Sequence, residues 1–459
     1  MRAAPARRIA STLAAIFVSL MLLGMFLIPL RYLGATMGIV PTARVTAEAA
    51  APAPTPSATG STIMAEYCSE AVTTSNPSNL AGRTSTNLVF NDSWLLQDAN
   101  SYHHDLATAC AVLAAVCNSE SQYYSNVEGA VPYAEQSLWA LGFADVRTES
   151  YALRSNILDE LGALFIGSHD VAAYTFASKT IPDPRGGTPL MLVFVGVRGS
   201  YGIEWISNFN LHDAQGDSDD HHGFGKAETE VERALARYAH EIGASPERTR
   251  ILITGHSRGG AIANLLAARL NNLGETSNKI APASGIYAYT FATPGCTREP
   301  DRQSPAYHNI FNIVNESDIV PKIPLSTWGY GRYGTTVALP SVSSDQFSTL
   351  FDRMREAFQR NTGIAPTYDK AGLASIDTFE NNMDEVLTSI GSPVNPARIV
   401  AAAGSLLGVD FGAALASHFP DTYIAWMQSI DDKSLSFDGP VEQAATSNAK
   451  ERASDIMES

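Results

Sequence analysis

Residues 251–261 read ILITGHSRGGA. The aliphatic run and the small and apolar residues after it predict a strand at 249–254 and a helix at 258–273, joined by one sharp turn. A serine between glycines at such a junction, G-x-S-x-G, is the pattern of a nucleophile elbow. The pattern also occurs in glycine-rich turns whose serine is idle, but the strand before it and the helix after it favour the elbow. We therefore predict that Ser257 is a nucleophile.

Strand and helix patterns alternate on both sides of this elbow. Apolar, β-rich runs predict strands, and apolar residues at helical spacing predict helices. The predicted strands are 169–181, 188–197, 285–294 and 309–315, and the predicted helices are 103–118, 127–141 and 226–243. Such alternation favours a mainly parallel sheet with helices on both faces. The predicted fold class is therefore α/β, of the α/β-hydrolase type.

Two further amphipathic helices are predicted after the last strand, at 343–361 and 376–391. They form a helical insertion before the C-terminal helical segment. Their apolar stripes suit either a cap over a site or packing on the core, and the sequence leaves both interpretations open.

The first 31 residues have the features of an export segment. Residues 9–30 carry no charge and are long enough to cross a bilayer as a helix, and they follow three arginines, Arg2, Arg7 and Arg8. This describes either a signal peptide, with a small-residue site at 47–49, or an uncleaved membrane anchor. Both predict an extracellular or cell-surface protein, secreted in the first case and membrane-anchored in the second.

Composition divides the rest of the chain. Residues 32–62 are rich in proline, alanine and hydroxyl residues, which predicts an extended spacer. Residues 63–431 are predicted to form the α/β-hydrolase domain, and residues 432–459 a polar tail. With 45% hydrophobic and 17% charged residues, the chain is able to bury a large core.

The net charge of −16 argues against functions that need a basic surface. Nucleic acids and anionic lipid headgroups both attract basic patches, so no nucleic-acid partner is expected. Contact with a membrane is expected through the N-terminal apolar segment if it is not cleaved, and any contact made by the folded part is expected to be apolar.

Four cysteines are present, Cys68, Cys110, Cys117 and Cys296. They are compatible with oxidised pairs in an exported protein, but four cysteines allow three pairings. Cys110 and Cys117 lie two turns apart in one predicted helix, which is too far for a direct bond. The sequence leaves the pairing open.

A serine nucleophile needs a histidine base, and in this fold the acid follows the serine and the histidine follows the acid. Only His308 and His418 come after Ser257, and only His418 also follows the best acid candidate, Asp318. Asp318 comes just after the last predicted strand, where open α/β sheets place functional loops. Its neighbour Glu316 is the alternative acid. The predicted triad is Ser257, Asp318 and His418.

The oxyanion of a tetrahedral intermediate needs two hydrogen-bond donors. The backbone N–H of Arg258, directly after the serine, is one of them. Ser200, in the glycine turn after the strand at 188–197, is the candidate for the second, with a solvated turn as the alternative. His256 is expected to be a packed or hydrogen-bonded neighbour rather than a catalyst, because the second position of the motif points away from the reacting oxygen. No cofactor is expected.

An acidic stretch lies between the glycine turn at Ser200 and the elbow at Ser257. It contains side chains of the types that bind metals, Asp213, Asp217, Asp219, Asp220, His221 and His222. Their spacing lacks the pattern and the glycine of a calcium loop, so we interpret the stretch as a solvated acidic loop.

Together these pieces resemble the class 3 lipase family, which includes fungal triacylglycerol lipases and a looser group of bacterial exported lipase-like proteins. The resemblance extends over residues 85–427. It rests on Arg198-Gly199-Ser200 with Trp205, His222-Gly223-Phe224, the elbow, Phe291-Ala292-Thr293-Pro294, Asp318-Ile319-Val320-Pro321, and His418 ahead of Tyr423. The resemblance implies the same triad, an oxyanion hole framed by Ser200 and Arg258, and a lid at 201–221.

The chain also departs from the family pattern. Arg258 stands where leucine usually follows the nucleophile, and Asn208 where aspartate is more typical. The candidate lid is polar and acidic rather than apolar, and the gap from Asp318 to His418 is longer than usual. These departures put activation at a fat–water interface in doubt.

The sequence thus predicts an exported serine hydrolase that cleaves carboxylic esters of lipids through an acyl-enzyme. The expected partner is a lipid or a small ester substrate. An esterase or a phospholipase A1 acting on polar-headed substrates is the alternative among enzymes. A catalytically inactive hydrolase-fold module that binds at a surface is the alternative outside them.

Overall fold

The computed structural model describes residues 60–75, 82–126, 132–149, 172–184, 186–199, 219–274, 276–322, 329–373 and 411–438. The predicted export segment, almost all of the spacer and the second insertion helix at 376–391 lie outside these ranges. Among the helices within them, none combines the length and the apolar character that a membrane crossing requires.

The secondary structure alternates in the part of the chain that was predicted to do so. The strands are β1 (Ser61–Cys68), β2 (Arg83–Phe90), β3 (Ala144–Glu149), β4 (Tyr174–Ile181), β5 (Leu190–Val197), β6 (Thr249–His256), β7 (Ile286–Phe291), β8 (Ile310–Val314), β9 (Thr335–Ala338) and β10 (Ser436–Asp438). The helices are α1 (Glu70–Ser75), α2 (His104–Asn126), α3 (Tyr133–Ala140), α4 (His222–Glu241), α5 (Arg258–Leu273), α6 (Phe347–Thr362), α7 (Phe411–His418) and α8 (Pro420–Ser429). Short 3₁₀ helices lie at Asp92–Leu96, Pro246–Arg248, Ala283–Gly285, Pro305–Tyr307, Val320–Lys322 and Asp432–Ser434.

The main sheet has eight strands in the order β10-β9-β8-β7-β6-β5-β4-β3. Strands β5 to β9 are parallel to one another, and β3, β4 and β10 add antiparallel edges. Strands β1 and β2 form a separate antiparallel pair. The mainly parallel sheet with helices around it confirms the predicted α/β-hydrolase fold.

Both faces of the sheet are buried, as a parallel sheet requires. Successive residues of a strand point to opposite faces, and on β5 Leu192 and Phe194 belong to one apolar cluster while Val193 and Val195 belong to another. Helices α2, α3, α6 and α8 cover the first face, and α4 and α5 cover the second. The continuous apolar run of β5 is therefore a consequence of burial on two sides.

Several strands have no clear signal in the sequence. Strands β1, β2 and β3 were not predicted, because each mixes polar residues with only partly buried ones. Strands β9 and β10 are only four and three residues long. β10 lies in the segment that was predicted to be a tail.

The first predicted insertion helix, at 343–361, is observed as α6 (Phe347–Thr362). Its apolar residues Phe347, Phe351 and Met354 are buried, and the rings of Phe347 and Phe351 lie 6.0 and 6.3 Å from that of Trp426 on α8. The apolar stripe therefore packs on the core, and the cap interpretation is wrong for this helix.

The four cysteines are buried thiols. The oxidised pairs that export made plausible are therefore not formed in this structure. Burial raises the pKa of the Cys110 and Cys296 thiols, so both remain protonated and unreactive.

Candidate active site

The turn between β6 and α5 holds Ser257 in a strained backbone conformation. Its φ and ψ are 57° and −126°, a region that non-glycine residues rarely occupy and that costs about 1–3 kcal/mol. The amide of Ser257 donates to the carbonyl of Phe291, at the end of the neighbouring strand β7, over 2.9 Å. The surrounding structure thus holds the serine at the carboxyl edge of the sheet, as the elbow pattern predicts.

The glycines of the motif are required because backbone atoms come too close for a side chain. A Cβ at Gly255 would overlap the backbone of Gly259, and a Cβ at Gly259 would overlap the backbone of Val197 and Arg198. A Cβ at Gly260 would lie 2.5 Å from Thr293 Oγ1. The G-x-S-x-G-G pattern is therefore required by the close approach of α5 to β5 and to the loop after β7.

The three predicted triad residues lie together. His418 Nε2 is 3.0 Å from Ser257 Oγ, and His418 Nδ1 is 2.8 Å from Asp318 Oδ2. Asp318 is 0% exposed, Ser257 2% and His418 5%. Residues 100 and 161 positions apart in the sequence thus form one buried hydrogen-bonded chain.

The alternatives to Asp318 and His418 lie elsewhere. Glu316 is partly exposed, whereas Asp318 is buried against the histidine ring. His308 comes before the amino end of β8, while Ser257 follows the carboxyl end of the parallel strand β6. His308 is therefore at the opposite edge of the sheet from the serine.

Asp318 receives more donors than the histidine alone. Tyr423 donates its phenolic hydrogen to Asp318 Oδ2 over 2.8 Å, and the amide of Val320 donates to Oδ1 over 2.9 Å. Burial, and then the charge of Asp318, raise the pKa of Tyr423 well above its usual value, so the phenol stays a donor. The carboxylate is thus held in one orientation and its charge is compensated by hydrogen bonds.

Asn315 connects the acid to the histidine segment. Its side-chain amide donates to the carbonyl of Ser417 over 3.2 Å, and its backbone amide donates to the hydroxyl oxygen of Tyr423 over 3.1 Å. Its side-chain oxygen accepts from the amide of Ser317 over 3.1 Å. Asn315 and the hydrogen bond of Tyr423 were not identified from the sequence, which placed Tyr423 in a motif but assigned it no role.

His256 is a packed neighbour, which confirms the prediction. It is 2% exposed, and its ring centroid lies 4.9 Å from that of His418 and 5.6 Å from that of Tyr423. Burial, and then the neighbouring His418, lower the pKa of His256 well below its usual value. The ring is therefore a neutral imidazole at neutral pH.

Of the two predicted oxyanion donors, one lies in the described residues. Arg258 is the first residue of α5 and directly follows the nucleophile. Ser200 lies outside the described residues, but the loop is described as far as Gly199, whose amide donates to Asn118 Oδ1 over 2.8 Å. Asn118 on α2 is a loop-anchoring residue that sequence reasoning missed, because 81 positions separate the two partners.

The candidate lid and the acidic stretch are described only from residue 219 onward. There Asp220 accepts a hydrogen bond from Tyr333 Oη over 3.2 Å. Among the described residues, no group of three or more His, Cys, Asp or Glu side chains is arranged to hold a metal ion.

A partly buried arginine connects two loops next to the triad. Arg332 Nη1 donates to the carbonyl of Thr293 over 2.9 Å and to that of Pro321 over 2.7 Å. Thr293 follows β7, and Pro321 lies in the loop that carries Asp318. The arginine therefore fixes the acid loop against the loop beside the elbow, a contact that the sequence does not reveal.

Comparison with known proteins gives a consistent picture. Residues 194–328 match the sequence profile of the family described as lipase (class 3). The secreted mono- and diacylglycerol lipase A of Penicillium cyclopium is 26% identical over 220 residues, which are 45% of this chain and 68% of that protein. The chloroplastic phospholipase A1-Igamma1 of Arabidopsis thaliana is 35% identical over 98 residues, which are 21% of this chain and 18% of that protein.

A solved structure is also similar. It is described as a triacylglycerol lipase whose catalytic centre is a serine protease triad, with 18% identity and a TM-score of 0.34. The match covers 52% of this chain and 80% of the other.

Proposed function

We propose that this chain, a carboxylic ester hydrolase of the class 3 lipase family, cleaves the ester bonds of lipids through an acyl-enzyme on Ser257. The observation that carries the proposal is the 3.0 Å contact from Ser257 Oγ to His418 Nε2, with the other ring nitrogen on a buried carboxylate. A base must lie within about 2.6–3.2 Å of the heavy atom whose proton it removes, and His418 Nε2 does.

Acylation begins when Ser257 Oγ attacks the ester carbonyl and His418 Nε2 takes the hydroxyl proton. Asp318 holds Nδ1 of the same ring and stabilises the imidazolium that forms. The backbone N–H of Arg258, with Ser200 as the second donor, stabilises the oxyanion. Collapse of the tetrahedral intermediate breaks the ester bond, and the alcohol leaves with the proton from His418.

Deacylation repeats the same steps with water. His418 takes a proton from water as the water oxygen attacks the acyl carbon, and the proton then returns to Ser257 Oγ as the carboxylic acid leaves. The chain ends the cycle with the serine and the neutral histidine restored.

The relatives support a lipid substrate that carries a polar group. One is named for mono- and diacylglycerols and another for phospholipids. The polar, acidic sequence of the candidate lid suits such substrates better than an apolar lid would. A phospholipase A1 or an esterase activity is therefore the second candidate function.

The relatives also support export. The Penicillium lipases that match this chain are named as secreted proteins. Together with the uncharged run at 9–30, this supports an extracellular enzyme, released by cleavage or held by the N-terminal segment.

The test is hydrolysis by the purified protein together with labelling of its nucleophile. We expect a fluorophosphonate probe to label the wild type and not Ser257→Ala, and the wild type to hydrolyse mono- and diacylglycerols faster than triacylglycerols. Faster release of fatty acid from phospholipid would favour the second candidate. A folded wild type that is neither labelled nor active would support the inactive binding module instead.

A further inference from the structure

His256 contacts the histidine base but has no part in the reaction described above. It is the last residue of β6, and its ring packs against the rings of both His418 and Tyr423. The ring is tilted by 47° to that of His418 and by 79° to that of Tyr423. A residue next to the nucleophile in sequence thus packs against the ring of the base.

His256 also bonds to the backbone of the base. Its ring donates a hydrogen bond to the backbone of His418. Within the described part of the chain, Nε2 of His256 has no hydrogen-bond partner, so Nδ1 is the donor and the neutral ring carries its proton there.

His418 lies where two helices meet. It is the last residue of α7, and α8 starts two residues later at Pro420. The hydrogen bond from His256 therefore reaches the backbone at this junction.

The backbone of the base is therefore held from two sides. Asn315, on the side of the acid, donates to the carbonyl of Ser417. His256, on the side of the nucleophile, donates to the carbonyl of the next residue. Neither residue contacts the reacting atoms, but together they fix the backbone position from which the imidazole side chain of His418 extends.

We propose that His256 is a positioning residue for His418, which anchors its backbone through Nδ1–H and packs against its ring, and so keeps His418 Nε2 3.0 Å from Ser257 Oγ. The proposal rests on the proposed function of Ser257 and His418. The neutral state of His256 matters because a second cation would oppose the imidazolium that forms on His418 during the reaction.

The test compares replacements of His256 that separate its two contacts. His256→Asn places an amide nitrogen close to the position of Nδ1 and loses the ring, His256→Phe keeps a ring and loses the donor, and His256→Ala loses both. A displacement of about 1 Å in an active site costs on the order of 100-fold in rate, so we expect kcat of the Ala variant to fall about 10- to 100-fold with KM little changed. Asn and Phe are each expected to retain more activity than Ala, with Asn above Phe. His308→Ala, at the opposite edge of the sheet, is the matched control with unchanged kcat.

A second readout does not depend on substrate. The proton between His418 Nδ1 and Asp318 Oδ2 is expected to give a low-field proton NMR resonance in the wild type, in His256→Asn and in His308→Ala, and to broaden beyond detection in His256→Ala. A merely structural role would lower the melting temperature of the Ala variant and leave this resonance unchanged.

The proposal is overturned if His256→Ala keeps the resonance and the wild-type kcat. It is also overturned if Asn is as impaired as Ala. If the Ala variant does not fold, the Asn and Phe variants decide, and Asn at or below Phe would refute the role of the donor. A wild type that shows the resonance but hydrolyses no ester would refute the proposed function, and the NMR comparison would still decide the role of His256.

Discussion

Tyr423 donates a 2.8 Å hydrogen bond to the same oxygen of Asp318 that binds His418. The carboxylate oxygen that faces the histidine therefore accepts hydrogen bonds from both the histidine and the tyrosine. Because hydrogen bonds to charged groups are stronger than those between neutral groups, we expect this contact to have a measurable effect on the reaction.

Replacing Tyr423 by phenylalanine removes this donor and keeps the ring. A hydrogen bond to a charged group contributes about 1.5–3 kcal/mol, so we expect kcat/KM to fall about 10- to 100-fold. Steady-state hydrolysis of a soluble p-nitrophenyl ester measures the effect. The control is Tyr307→Phe, which loses a hydroxyl bonded to Asn272 near the opposite edge of the sheet. Equal rates for both variants would show that the bond to Asp318 has no catalytic role.

Asp318→Asn and Glu316→Gln together test the identity of the acid. The asparagine keeps the size of the side chain but loses the charge that stabilises the imidazolium, so kcat is expected to fall by on the order of 10³- to 10⁴-fold. The partly exposed Glu316 is expected to be replaceable with less than about a twofold change, since surface substitutions of this kind have small effects. Loss of activity in the glutamine variant alone would reverse the assignment.

The pH dependence of stability is expected to reflect Glu228 on α4. Burial, and then the charge of Glu232, raise the pKa of Glu228 from 4.5 to about 7. Between these two values the folded protein binds more protons than the unfolded chain. The stabilising contribution is therefore fully present below pH 4.5 and is lost as the pH rises through about 7.

Glu228→Gln removes this titration. We expect the variant to match the wild type near pH 4.5 and to be more stable at pH 8 by on the order of 3 kcal/mol. Urea unfolding at both pH values measures the difference, with the exposed Glu230→Gln on the same helix as the control. A constant difference at both pH values would contradict the assigned cause.

Replacing a glycine of the elbow by alanine is expected to destabilise the protein far more than replacing a glycine elsewhere. Gly259→Ala forces a Cβ into the backbone of Val197 and Arg198, so it should destabilise the fold by about 3 kcal/mol or more and abolish activity. Gly225→Ala, inside α4, meets only Asp220 Cβ at 3.9 Å and should be neutral or stabilise by up to about 1 kcal/mol. Denaturant midpoints of the two variants test the pair, and a Gly259→Ala variant with wild-type stability would show that α5 is able to move away from β5.

Two features of the sequence predicted much of the fold and the site. The apolar run into Gly255 and the small residues after Ser257 identified a strand, a turn and a helix because each signal depends on neighbouring residues. The chain order of serine, acid and histidine then selected Asp318 and His418, because only one histidine follows that aspartate.

The packing of the first insertion helix and the state of the cysteines could not be predicted from the sequence. The stripe of α6 indicated a helix with one apolar face but not what that face meets, which is Trp426 on α8. The cysteine count allowed pairs, and the fold instead buries all four as thiols.

The sequence by itself determined the strand–turn–helix at Ser257, the parallel core of the sheet and the identity of the candidate triad, because these follow from local periodicity and chain order. Only the tertiary structure decided which side chains hold the triad in place. Tyr423 on Asp318, His256 against His418 and Asn118 at Gly199 join residues far apart in the chain. No local pattern encodes such pairs, since each contact exists only after the sheet and its helices have packed.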